Sequence, residues 1–274
     1  MRLRNEHLGA ALFVGRSGIG KSSLAVAMCS ALHGELIRLD GSELADEASR
    51  NTLIGAPPAY VGWGETESLP ARVNNYMRDR PKKGPVIVLF DELEKAHPEV
   101  RLLFLQAMEG RLTDSAGEVA DFSDTLFVMT SNLTATRRAA GFTGLSAGNR
   151  DVIETLKKEL PPEFIGRLDL IVEFDALSST VLHDIVRHEL TVIGDVLRGN
   201  GYELAVDSNV VALIIENGTD SALGARLLHR SIEQHLLAPL SRCEPGSYRA
   251  VLGSGRSVNL VRVYTTELEA ARET

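Results

Sequence analysis

Only two cysteines, Cys29 and Cys243, occur in 274 residues. So small a supply argues against a disulfide framework and fits a reducing compartment. No run of about 18 consecutive apolar residues is present, so no membrane-spanning helix is expected. The opening "MRLRNEHLGA" has positive charges but lacks the apolar stretch of a secretory signal. Positive charge is not in excess either: Lys and Arg total 29 against 37 Asp and Glu, a net charge of -8. That balance disfavours bulk electrostatic attraction to nucleic acid or anionic lipid, while leaving room for a local basic channel. Internal repeats and low-complexity tracts are absent from the sequence. The expectation is a soluble cytoplasmic protein.

What is there is an ordinary globular composition, 44% hydrophobic and 24% charged, in a chain long enough for one large domain or two modest ones. Up to about residue 174, short apolar runs alternate with helical patterns, as in a parallel sheet wrapped by helices. Strands are expected at "AALFVG" (from Ala10), "ELIRLD" (from Glu35), "VIVLFD" (Val86 to Asp91), "TLFVMTSN" (from Thr125) and "LIVEF" (from Leu170). In "KSSLAVAMCSAL", Leu24, Ala25, Met28 and Leu32 recur at helical spacing, and Cys29 reads as a small hydrophobe of the same buried helix. Beyond Phe174 the pattern turns helical: "SSTVLHDIVRHELTVIGDVLRGNG", "DSNVVALIIENG" and "GARLLHRSIEQHLLAPL", closed by the strand-like runs "SYRAVL" and "SVNLVRV". The domains are therefore expected over 1–174 and 175–274.

"GRSGIGKS", Gly15 to Ser22, fits G-x-x-x-x-G-K-[ST] in full. Glycines at Gly15, Gly18 and Gly20 let backbone N–H groups, with those of Ser17, Ile19 and Ser23 nearby, turn inward around phosphate oxygens. The following helix points its positive end at the same anion. Lys21 is placed to reach the terminal phosphates and the Ser22 hydroxyl to hold Mg²⁺. By average residue usage a chance match is on the order of one in a hundred. A plain glycine turn is the alternative, and the strand before the motif and helix after it count against that. In "VIVLFDELEK" a buried strand runs into Asp91 and Glu92, which puts one carboxylate near Mg²⁺ and the next where it can act on an attacking water. Acids at strand ends are also common helix caps; the pairing with the glycine loop tips the balance. Asn132, at the end of the next strand, can reach that water or the γ-phosphate, though a lone Asn there is more often a turn residue. Arg167 in "PPEFIGRLD" and Arg226 in "GARLLHR" taken singly read as surface charges.

In order along the chain, "GRSGIGKSS", "IRLDGSEL", "LIGAPPAYVGW", "VIVLFDELEKAHPEV", "GRLTDSAGEVADFSDTLFVMTSN", "LPPEFIGRLD" and "GARLLHRSIEQHLLAPL" resemble the Clp-type AAA+ unfoldases, especially the C-terminal ATPase module of ClpA, ClpB and ClpC proteins. The resemblance covers roughly residues 10 to 245. It implies an α/β P-loop AAA+ domain with a parallel sheet flanked by helices, followed by a small, mainly helical lid with a short β element. It further implies ATP bound by Gly15–Ser23 with Mg²⁺ at Ser22 and Asp91, water activation by Glu92, and γ-phosphate sensing by Asn132 and, from the lid, Arg226. Arg167 takes the place of the arginine finger offered to a neighbouring subunit, a contribution worth about 10³–10⁵ in rate. Such proteins work as hexameric rings that thread polypeptides through a pore.

That resemblance gives a reason for "GAPPAYVGWGETES", where bulky apolar side chains sit on a segment without helical or strand periodicity. Tyr60, with Val61 beside it, matches the pore-loop aromatic that grips protein substrates, a large and stiff surface with little rotamer entropy to lose. The alternative is a small satellite cluster of Tyr60 and Trp63 folded back on the domain. Ala59 replaces the usual glycine, which is expected to stiffen the loop, and only fourteen residues precede Gly15, so base recognition is expected to be incomplete on this chain alone. Ala140-Gly141-Phe142, or less well Thr143-Gly144-Leu145, has the form of the tripeptide that docks on a peptidase ring, and equally that of an ordinary surface loop. The leading expectation is an ATP-driven protein remodelling motor, a homo-hexamer with protein substrates and a peptidase or adaptor as further partner. A scaffold ATPase that assembles without threading is the alternative, and a nucleic-acid motor is disfavoured by the acidic balance.

Overall fold

The computed structural model describes residues 7–57, 67–78, 84–133, 148–219 and 225–263, with backbone only for 148–152. The chain divides into two units, one of Met1–Gly15 with Gly20–Phe174, the other of Arg16–Ile19 with Asp175–Thr274.

The first unit is built on a five-stranded parallel sheet. Its strands are β1 (Gly9–Val14), β2 (Glu35–Asp40), β3 (Val86–Asp91), β6 (Thr125–Ser131) and β7 (Leu170–Glu173), in the order β2-β3-β6-β1-β7. Every residue of β3 is buried, as expected of a central strand covered on both faces. The parallel register pairs Asp40 with Asp91, Phe90 with Met129 and Val14 with Ser131. The carboxyl ends of β1, β2, β3 and β6 therefore line up on one edge, where ligands of open α/β sheets bind.

Helix α1 (Lys21–Ala31) lies on one face, burying Ala25 and Cys29 in a cluster with Ile87, Leu89 and Val128. Leu24 and Leu32, which share the helical spacing with Ala25 and Met28, are 42% and 45% exposed. The small residues occupy the sheet-facing side, which leaves the bulkier leucines turned outward. Cys29 Sγ donates to the Gly34 carbonyl at 3.3 Å, and burial pushes its thiol pKa up, so it acts as a core residue.

The other face carries α2 (Arg50–Ile54), α3 (Leu69–Arg78) and α4 (Pro98–Met108). Pro98 opens α4, where its missing N–H costs nothing, and the His97 side chain caps the Glu99 amide. Phe104 of α4 packs edge-on against Phe90 (4.8 Å between centroids) and Phe127 (5.3 Å), and all three are fully buried. A hairpin follows, β4 (Arg111–Thr113) and β5 (Val119–Asp121), in which Asp114 Oδ1 accepts the amides of Ala116 and Glu118. Helices α5 (Gly148–Glu159) and α6 (Pro162–Gly166) then lead to β7.

In the second unit, α7 (Ser179–Gly199) starts at Ser178, whose hydroxyl accepts the Val181 amide. Helix α8 (Ser208–Gly218) packs with it through Val186, Val210 and Ile214. The third expected helix is interrupted. It runs as α9 (Leu228–Ile232), a π-helical turn over Glu233–Leu237, and α10 (Ala238–Leu240). Pro239 has no N–H to offer the regular ladder, and the register widens just before it. The expected C-terminal strands are β9 (Gly246–Leu252) and β10 (Val258–Arg262), antiparallel to each other. A strand not anticipated, β8 (Tyr202–Val206), pairs in parallel with β9 to make a three-stranded sheet. Among the described residues no helix is long and apolar enough to cross a membrane.

Candidate functional site

The glycine loop has the backbone its sequence demands. Gly18 and Gly20 take positive φ (72° and 96°), a region that costs other residues about 1–2 kcal/mol. Gly20 precedes α1 without a side-chain cap, and the first turn carries no acid, so the helix leaves its positive end to an incoming anion. Lys21 is 6% exposed, and its ammonium donates to the Gly15 carbonyl at 2.7 Å and to Asn132 Oδ1 at 2.9 Å. A buried ammonium needs such partners. Residues that were 111 positions apart in the chain meet here because β1 and β6 are neighbours.

Asp91 gathers three donors. Ser22 Oγ reaches Oδ1 and Oδ2 at 2.8 and 2.9 Å, Arg38 donates to Oδ2 at 2.7 Å, and Thr130 Oγ1 donates to Oδ1 at 2.5 Å. A hydroxyl and a carboxylate in contact are hard oxygen donors of the kind Mg²⁺ prefers. Among the described residues there is no cluster of three or more His, Cys, Asp or Glu able to cage a metal alone. The donor set thus fits an ion held by a hydroxyl, a carboxylate and phosphate oxygens, with Ser22 and Asp91 as the protein's share.

Glu92 follows in a left-handed conformation (φ 53°, ψ 49°), unusual for a residue with a side chain. Its amide donates to Thr130 Oγ1 at 3.0 Å, so one hydroxyl ties both acids to β6. Its carboxylate is held from two sides, by Asn132 Nδ2 on Oε1 at 3.3 Å and by Lys95 Nζ on Oε2 at 2.5 Å. The Asn132 backbone amide in turn donates to Glu94 Oε1 at 3.0 Å. Lys21, Asn132, Glu92 and Lys95 therefore form one unbroken polar chain across the strand ends.

Of the other expected residues, Ser17 is half-buried, Ile19 buried and Ser23 exposed. Arg167 caps the end of α6 and donates to Glu109 Oε1 at 2.8 Å, a partner on its own chain. Arg226 lies in the second unit, in the short turn Ala225–Leu227. Tyr60, Val61 and Trp63 lie outside the described residues, as do Ala140-Gly141-Phe142 and Thr143-Gly144-Leu145. The feet of segment 58–66 are described, and the β4–β5 turn grips both. Ser115 bonds to the carbonyls of Ile54 (2.8 Å) and Ala56 (2.9 Å), and Asp114 Oδ2 accepts the Ser68 hydroxyl at 2.8 Å.

The sequence reading did not single out Thr130, Arg38, Glu94 or Lys95. Lys95 was within reach, since it stands three residues after Glu92 in a tight turn. Thr130 and Arg38 needed the strand order, because only neighbouring strands make them partners of Asp91.

Residues 6–171 match the family described as AAA domain (Cdc48 subfamily), and residues 177–243 match the C-terminal, D2-small domain of ClpB protein. The chaperone protein ClpB of Corynebacterium glutamicum is 39% identical over 84% of this chain and 26% of its own length. The ATP-dependent Clp protease ATP-binding subunit ClpE of Lactococcus lactis is 38% identical over 85% of this chain and 31% of its own. Heat shock protein 100 of Trypanosoma brucei brucei is 36% identical over 87% of this chain and 27% of its own. The chain thus spans less than a third of the length of these relatives. The glycine loop and the paired acids agree with these matches: the chain belongs to the Clp-type AAA+ ATPases and carries their AAA domain joined to a ClpB-type small domain.

Proposed function

We propose that this chain is the ATP-hydrolysing motor module of a protein unfoldase or disaggregase. The observation that carries the reading is the unbroken set of contacts from Lys21 through Asn132 to Glu92, with Ser22 on Asp91 beside it. Lys21 and the amides of the Gly15–Ser23 loop bind the phosphates of ATP, and the Ser22 hydroxyl and Asp91 hold Mg²⁺. Magnesium, when bound, neutralises phosphate charge. Glu92 orients and deprotonates the attacking water, and Asn132 fixes that carboxylate relative to the terminal phosphate. Arg226 senses the nucleotide from the small domain, and Arg167, released from Glu109, serves a neighbouring subunit's ATP.

Protein is the substrate class, gripped by Tyr60 and Val61 in a homo-hexameric ring of cytoplasmic setting. The names of the relatives, chaperone for ClpB and protease ATP-binding subunit for ClpE, support protein handling and leave a peptidase or adaptor as a further proposed partner. Two substitutions test the two halves of the proposal. Glu92→Gln retains ATP binding and stops phosphate release, whereas Tyr60→Ala spares phosphate release and stops unfolding of a tagged reporter protein. Reporter unfolding that survives Tyr60→Ala rejects the pore reading. ATPase activity per subunit that stays flat with protein concentration rejects the shared site.

A further inference from the structure

Glu92 sits in an awkward electrostatic position. Its backbone is left-handed, and its carboxylate lies one residue from Asp91, in a region that an ATP terminal phosphate would make more negative still. An unrestrained carboxylate on a three-bond stem would swing away from that phosphate, because like charges close together repel when only partly screened. Two groups oppose this. Asn132 holds Oε1 and Lys95 holds Oε2, and only Lys95 brings positive charge.

Lys95 is placed for this by the turn itself. Its own amide donates to the Glu92 carbonyl at 2.9 Å, closing the 3-10 turn Leu93–Lys95, while its ammonium reaches back three residues to the carboxylate. One residue thus fastens both the backbone and the side chain of Glu92. The hydrogen bond to Glu92 raises the Lys95 pKa above its ordinary value, with Glu92, Glu94 and Asp40 adding charge attraction. Asp40 stays anionic there because the Ser42 hydroxyl holds its carboxyl below the usual range. The side chain is about half exposed, so its removal leaves the core untouched.

We propose that Lys95 is a positioning residue for hydrolysis, the cation that keeps the Glu92 carboxylate aimed at the attacking water against repulsion from the phosphate. This rests on the assignment of Glu92 as the water-activating acid, and the experiment separates the two claims.

The first measurement is independent of turnover. Acetylation by an amine-reactive reagent is followed residue by residue in the wild-type chain and in Glu92→Gln, with the exposed Lys157 and Lys158 of α5 as internal references. Loss of the carboxylate frees Lys95, so its acetylation speeds up while the references hold. An unchanged Lys95 rate overturns the proposal. The second is ATP turnover. Lys95→Met lowers kcat by about ten- to a hundredfold, part of the 10²–10⁴ that a positioned base contributes. KM and the affinity for a fluorescent ATP analogue stay within about twofold, and Lys95→Arg, which keeps the charge, recovers part of the loss. Full or increased kcat in Lys95→Met, a parallel loss of nucleotide affinity, or Lys95→Arg as poor as Lys95→Met each overturn it. Turnover that survives Glu92→Gln rejects the Glu92 assignment instead.

Discussion

Thr130 donates to Asp91 Oδ1 at 2.5 Å and, through the same oxygen, accepts the Glu92 amide at 3.0 Å. A single buried hydroxyl on β6 therefore sets the direction of Asp91, the last residue of β3, and of Glu92, which follows it. Thr130→Val keeps the shape and removes both bonds, leaving a Glu92 N–H without its acceptor. The expected cost is about 1–3 kcal/mol of stability, read from urea denaturation, with weaker Mg²⁺-dependent nucleotide binding. A variant that melts and binds like wild type shows that the hydroxyl has no such role.

Lys21 is buried and donates to the Gly15 carbonyl and to Asn132, the residue that follows β6. Lys21→Met fills the same space without charge. Loss of hydrogen bonds to a phosphate is expected to weaken ATP-analogue binding about 10- to 100-fold, from roughly 1.5–3 kcal/mol per charged bond. Fluorescence titration checks this, and an unchanged dissociation constant removes Lys21 from the phosphate site.

Asp114 fastens the hairpin turn and the start of α3 at once, through the amides of Ala116 and Glu118 and the hydroxyl of Ser68. Asp114→Ala should lower stability by about 2 kcal/mol. Because Ser115 and Asp114 hold the two feet of segment 58–66, we also expect reporter unfolding to fall more than ATP turnover does. Equal losses in both assays would point to a general effect on folding.

Phe104 stands between Phe90 and Phe127, edge-on to each. Phe104→Ala opens a cavity under the sheet edge that carries Asp91 and is expected to cost about 3–5 kcal/mol. Phe104→Leu, nearer in volume, should cost clearly less, as thermal unfolding of the pair will reveal.

Much of this is legible in the sequence. The five apolar residues of "VIVLF" suit a strand covered on both faces, so a buried strand running into Asp91 was legible from composition alone. Local chemistry also marked the glycine loop, since only glycine tolerates the backbone at Gly18 and Gly20 cheaply. Less legible were features set by packing. Leu24, Ala25, Met28 and Leu32 share one helical spacing, but Ala25 and Cys29 take the sheet-facing side while Leu24 and Leu32 are exposed. Strand β8 has no strong signal in "YELAV" and is a strand because β9 offers it a partner. The break in "GARLLHRSIEQHLLAPL" was written in Pro239, though its form as a π-helical turn was not.

By itself, then, the sequence determined the glycine loop, the acids at the end of β3 and the layered α/β design, because each depends on residues adjacent in the chain. Tertiary structure alone decided that Thr130 and Arg38 join the site, and which partner each side chain meets. Thr130, Arg38 and Asn132 reach their partners only through the strand order β2-β3-β6-β1, a consequence of how crossovers pack rather than of any local pattern. Lys95 lies between these cases, close to Glu92 in sequence yet turned toward it only by a left-handed residue that the surrounding contacts enforce.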